Sequence, residues 1–118
     1  MKYMLLQYGN TRHSPHYTPE EARAARQGWF DLLADMKAAG VYLSNYGLSP
    51  VTHATTVRVR NGETVTTDGP FAEADEQLGG YFLLDCKNLD EAVGWAAKIP
   101  YAMGGSIEIR PVITYTEG

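Results

Sequence analysis

A single cysteine, Cys86, stands in 118 residues, which excludes an internal disulfide and a zinc site built on paired thiolates and suits a reducing compartment. Long apolar runs are missing too. No stretch approaches the roughly 20 residues that span a bilayer. The opening Met-Lys-Tyr-Met-Leu-Leu-Gln-Tyr is too short and interrupted for the core of a signal peptide. A cytoplasmic protein with no membrane partner is expected. Positive charge is scarce: 10 Lys and Arg face 14 Asp and Glu, a net charge of −4 and a pI near 5.2. No basic cluster offers phosphates a footing, so nucleic acid is not an expected partner. There is no Ser-His-Asp order, phosphate-cradling glycine loop or Rossmann fingerprint, and no cofactor is expected. Repeats, low-complexity tracts and linkers are absent, and the length suits one domain.

What is present is a dense alternation of strand and helix signals. Lys2–Tyr8 is apolar on both alternations, Tyr3 and Leu5 on one side and Met4, Leu6 and Tyr8 on the other. That predicts a central strand with both faces covered. After a polar loop holding His13 and His16, Thr18-Pro19-Glu20-Glu21 predicts a helix start with a capping box and Pro in the first turn. Ala22, Ala25, Trp29, Leu32, Leu33 and Met36 supply its apolar stripe, and Gly40 ends it. Val41–Tyr46 is a second strand, with Tyr42 and Tyr46 expected on one face and Val41 and Leu43 on the other. Thr55–Arg60 and Glu63–Thr67 flank Asn61-Gly62, a strong hairpin signal; Val57, Val59 and Val65 are expected on one face, Arg58 and Arg60 on the other. Gly80–Cys86 follows as a strand. A second helix opens at Asn88 or Asp90 with Leu89, Ala92, Val93, Ala96 and Ala97 as its stripe. Ser106–Thr114 closes the chain, with Ile107 and Ile109 inward and Glu108 and Arg110 opposite.

This order predicts an α+β, ferredoxin-like split βαβ sandwich carrying an extra β-hairpin. Both helices should cover one sheet face. The other face, with Tyr42, Tyr46, Tyr81 and Leu83, is then too apolar to be left bare. Two such sheets stacked face to face would solve the problem, so a homodimer with a shared cavity is expected, a dimeric α+β barrel.

The chain is organised around Thr66-Thr67-Asp68-Gly69-Pro70-Phe71, an acidic turn through Glu73 and Glu76, and Leu78-Gly79-Gly80-Tyr81. Gly69 can take positive φ and Pro70 fixes its own; one turn of helix-compatible chain follows. Asp68 is a candidate acid/base, with His53 beside the hairpin as its helper; the alternative is that Asp68 caps the turn amides. Glu73 and Glu76 either join that chemistry or face water or pair with Arg58, Arg60 or Arg110. If Arg58 and Arg110 lie on the uncovered face they suit an anionic ligand in the cavity, with Tyr81 and Glu73 beside them; the alternative for Arg110 is a pair with Glu108. His13 and His16 have loose metal spacing but no third ligand, so no metal site is expected. Cys86, inside an apolar strand, is a core thiol.

These motifs carry a resemblance over nearly the whole chain. KYMLL at Lys2–Leu6, T-V-R-V at Thr56–Val59, TTDGPF at 66–71 and LGGYFLLD at 78–85 lead into L-D-E-A-x-x-W-A at Leu89–Ala96. G-x-I-E-I-R-P-V follows at Gly105–Val112. The sequence resembles the DGPF-domain branch of the YCII-related proteins. The resemblance implies a dimeric α+β barrel of unassigned activity. It also implies a link to transcriptional control, since the branch is frequently encoded beside extracytoplasmic-function sigma factors. Some members of the wider group carry a His in the first helix as half of a candidate His-Asp dyad. That position falls at about Trp29, and no histidine occurs in Thr18–Gly40, so the dyad does not carry over. Asp68, Gly69, Pro70, Phe71, Glu73 and Gly80 do. The expected function is to bind or transform a small polar or anionic molecule, an aromatic one included; the alternative is a non-catalytic ligand-binding or regulatory module.

Overall fold

The computed structural model describes residues 1–10 and 17–115; His13 and His16 lie outside them. The elements run β1 (Lys2–Gly9), α1 (Pro19–Ala38), β2 (Tyr42–Gly47), β3 (Thr55–Arg60), β4 (Glu63–Asp68), β5 (Gln77–Asp85), α2 (Leu89–Ala96) and β6 (Ser106–Pro111). Short 3-10 turns at Val51–His53 and Pro100–Met103 sit between them. Four strands form one sheet in the order β2-β5-β1-β6, and β3 pairs with β4 alone. Every neighbouring pair is antiparallel, so β1 and β2 run parallel on either side of β5, joined through α1. This is an α+β arrangement compatible with the ferredoxin-like split βαβ.

The local signals that start the helices are visible in their hydrogen bonds. Thr18 accepts from the Glu21 amide while the Glu21 carboxylate accepts from the Thr18 amide, closing the capping box, and Gly40 leaves α1 at φ +74°. Asn88 caps α2 through the Glu91 amide. Between the helices and the sheet lies one core: Tyr3 and Leu5 of β1, Phe82 and Leu84 of β5, Leu32 and Met36 of α1, and Ala92 and Ala96 of α2, with Val41, Cys86 and Ile99. Trp29 packs its ring against Phe82, centroids 5.4 Å apart. Phe82 is fully buried, and truncating a ring so placed costs about 3–5 kcal/mol.

The alternation on β1 holds. Tyr3, Leu5 and Gln7 are buried under the helices, while Met4, Leu6 and Tyr8 are only half-buried on the opposite face. Ile109 stands opposite Leu5, and Glu108 and Arg110 stand opposite Leu6 and Met4, so β6 shows the expected split.

Four details differ from expectation. A register shift between Tyr42 and Ser44 in β2 places Tyr42 opposite Leu84 on the helix side, where Lys37 of α1 covers its ring; Tyr46 stays on the bare face against Tyr81. On the hairpin Arg58 stands opposite Val65 and Val57 opposite Thr66, so Val65 shares a face with the arginines. In α2 the buried residues are Ala92 and Ala96 with half-buried Trp95 packed against the core, and Leu89, Val93 and Ala97 are exposed. The segment after Pro70 forms bends rather than a helical turn.

The hairpin is an arm. All of β4 is exposed, and Val57 and Val59 on β3 are 59% and 60% exposed. The Cα radius of gyration is 16.9 Å, against about 13.5 Å for a compact domain of this length. The extents are 49 × 49 × 18 Å. The short dimension fits one sheet and one helix layer, so the arm extends sideways.

Candidate functional site

Three places gather the candidate residues. The first is the base of the arm. Beyond the last pair, Thr55 with Asp68, the Gly69 amide donates to the Ala54 carbonyl at 2.7 Å. The Thr56 hydroxyl donates to the Gly69 carbonyl at 2.8 Å. Gly69 itself sits at φ +99°, where a Cβ is disfavoured. A backbone bond and a threonine thus hold the Asp-Gly-Pro turn. Asp68 is exposed and its carboxylate makes no hydrogen bond among the described residues, so the capping role expected for it is not what the structure shows. His53, exposed at the end of its 3-10 turn, lies at the same end of the arm, and no hydrogen bond joins the two.

The second place is an open cleft of about 360 Å³ beside that base, lined by Pro50, Val51, Thr52, Pro70, Glu73, Ala74 and Gln77. Its size is at the small end for ligand sites. In the wall the Gln77 amide donates to the Ala74 carbonyl; outside it, Glu76 accepts from the Ser106 hydroxyl at 3.3 Å and ties the acidic turn to β6. Glu73 is the charged group in the lining. The facing 3-10 turn at Val51–His53 was invisible in the sequence, because neither its Pro50 nor its Thr52 belongs to a pattern.

The third place is the bare face of the sheet. Met4, Leu6, Tyr8, Tyr81 and Leu83 are half-buried there, and Tyr46 stacks obliquely on Tyr81 at 6.0 Å between centroids. Arg110 lies on this face at the β6 edge, opposite Met4. Among the described residues it makes no ion pair, not even with Glu108 on the same face. Arg58 is elsewhere, half-buried on the arm, so one chain does not bring the two arginines together.

Behind this face, the Gly79-Gly80 pair sets the spacing of the strands. Gln7 pairs with Gly80 and Tyr8 with Leu78, leaving Gly79 as the extra residue of a bulge. Gly80 is crowded by β2, as a Cβ there would stand 2.7 Å from the Tyr46 carbonyl oxygen. The bulge keeps Leu78 and Tyr81 on the same side. Cys86 is buried in the core; burial pushes its thiol up from 9.0, and the Glu91 and Asp85 carboxylates add to the shift. It is a packed thiol with no access to either opening.

A YCII-related domain matches residues 1–116. The chain belongs to the YCII-related family. An uncharacterised protein of Rhizobium meliloti (strain 1021) is 36% identical over 120 residues, covering all of this chain and 97% of that relative. Across the described residues no helix is long and apolar enough to cross a membrane.

Proposed function

We propose that this YCII-related chain is of the DGPF type and acts as a homodimer whose two bare sheet faces enclose a binding site for a small anionic, ring-bearing molecule. The observation that carries the reading is the bare face itself. It combines apolar side chains, tyrosines and one arginine, Arg110, that has no ion partner among the described residues. An apolar lining with few convergent polar groups is the usual make-up of a small-molecule site. Stacked sheets lie about 10 Å apart, which leaves a tyrosine-lined gap wherever the facing residues are small. Arg110 would pair with the anion and Tyr81 with the ring. Asp68 and His53, both exposed in one chain, would act as acid and base only where a second copy closes over the arm base. Glu73 would present a carboxylate at the cleft beside it. Binding rather than turnover is therefore the primary reading.

Two measurements test it. Sedimentation should give about twice the 13.0 kDa chain mass; a monomer would sink the reading. Benzoate, as a probe anion with a ring, should bind the parent and lose about tenfold in affinity in Arg110→Gln, the range for a charge-assisted contact. Equal affinity in the two would remove Arg110 from the site.

A further inference from the structure

We infer that the β3–β4 arm of each chain docks on a second copy through its Val57/Val59 face, so that the arm is an exchanged part of the interface. The inference rests on the homodimer reading above and adds to it a contact that the stacked sheets alone do not require.

The first observation is that the arm is ordered without cover. A two-stranded sheet is at best marginally stable in water. This one pairs fully over Thr55–Arg60 and Glu63–Asp68 while forming a sheet of its own. Its turn is well built, with Asn61 at φ +53° and Gly62 at φ +77°, the primed geometry that suits a hairpin. A good turn fixes register but does not bury a side chain.

The second observation is that the arm's two faces differ in chemistry. Register puts Val57, Val59, Thr64 and Thr66 together on one face, whose one charge, Asp68, stands opposite Thr55 at the base of the arm. The other face carries Arg58, Arg60, Glu63 and Val65. β-branched residues on a flat ribbon are what a second surface packs against, so the face whose outer part is Val57, Val59, Thr64 and Thr66 is the docking face. The charged face stays toward solvent or toward the bound anion.

The third observation is area, and it names the occupant. Strands of six to nine residues in a four-stranded sheet project roughly 400 Å². A stable interface buries about 800 Å² on each side. A six-residue ribbon projects about 200 Å². In a two-fold dimer each chain gives one arm and receives one, adding roughly 400 Å² to each side and doubling the sheet contribution. A second copy uses both uncovered features in one symmetric contact. An unrelated partner on the arm would leave the bare sheet unexplained. The 18 Å thickness agrees to this extent: an arm lying in the plane of the layers leaves the sheet face open to a second copy.

The test uses the full chain in a dilution series, with sedimentation and amide hydrogen exchange read together. In the dimer, amides of the β3–β4 ladder should exchange at least about tenfold more slowly than in the diluted monomer, since undocked ribbons open readily. The double substitution Val57→Asp/Val59→Asp, on exposed positions that leave the core intact, should raise the dimer dissociation constant by about tenfold or more. Val65→Asp, on the opposite face, should leave it unchanged. A dimer whose arm exchanges as fast as the monomer's, or a double variant that dimerises like the parent, overturns the arm contact and leaves the stacked-sheet reading standing. Val65→Asp weakening the dimer as much as the double variant overturns the choice of face. A parent that stays monomeric at every concentration overturns both readings.

Discussion

Gly80 lies so close beneath Tyr46 that a Cβ at position 80 would stand 2.7 Å from the tyrosine's carbonyl oxygen, with Gly47 Cα at 3.2 Å behind it. The obstacle is backbone in a paired strand, which cannot swing aside as a flexible side chain would. Relief would have to separate β2 from β5, where Tyr46 pairs with Tyr81 and Gly47 with Gly80. Gly80→Ala should therefore destabilise the chain by about 1–3 kcal/mol, the range for overpacking, read as a lowered thermal midpoint. An unchanged midpoint would mean the strands have slack that the geometry denies.

Gly69 is constrained in a different way. Nothing lies within 4 Å of its would-be Cβ, yet its φ is +99°. Gly69→Ala should cost roughly 1 kcal/mol or more through backbone conformation alone. Gly94, inside α2, also meets nothing within 4 Å and carries no positive φ. Gly94→Ala should then stabilise by up to about 1 kcal/mol, from helix propensity. The pair gives opposite signs for the same chemical change, and chemical denaturation of both variants checks it.

Asp68 supplies a contrast with its neighbour. The Gly69 backbone bond and the Thr56 hydroxyl hold the turn, and the Asp68 carboxylate takes no part. Asp68→Asn should alter stability by no more than about 0.5 kcal/mol, as exposed substitutions do. Thr56→Val should cost about 1 kcal/mol from the lost hydrogen bond. If denaturation shows the reverse order, the carboxylate holds the turn after all.

These contrasts show what could be read from the chain and what could not. The capping box at Thr18 and Glu21, the alternation of β1 and the Asn61-Gly62 turn are local, and local rules suffice for them. The face of Val65 was legible too: with Arg60 opposite Glu63 across a two-residue turn, Arg58 must stand opposite Val65. Tyr42 and Tyr46 separate only because of a register shift, and Gly79 becomes an extra residue only because β1 pairs with β5 on both sides of it. Such irregularities belong to the pairing of distant strands and leave little trace in either strand alone. The candidate site suffered most. Arg58 and Arg110 share a residue type and a strand signal, but one sits on the arm and the other in the main sheet. The cleft beside Glu73 needs Pro50 to Thr52, which carry no motif.

The last prediction concerns pH and Cys86. Its thiol is buried in the core, and burial, with Glu91 and Asp85 adding to it, raises its pKa above 9.0. Folding therefore favours the protonated form, while the unfolded chain loses this proton first. The sign follows from linkage: where the native state binds more protons, stability falls as pH rises. The contribution is fully present below the unfolded value near 9.0 and is lost progressively as pH climbs above it toward the raised folded value. Denaturant unfolding measured across the alkaline range should show this decline in the parent. Cys86→Ala removes the ionisable group at the expense of a small cavity, so its stability is lower at neutral pH yet falls less steeply above pH 9.0. If the parent and the variant decline in parallel, the alkaline loss comes from other groups and the buried thiol has no part in it.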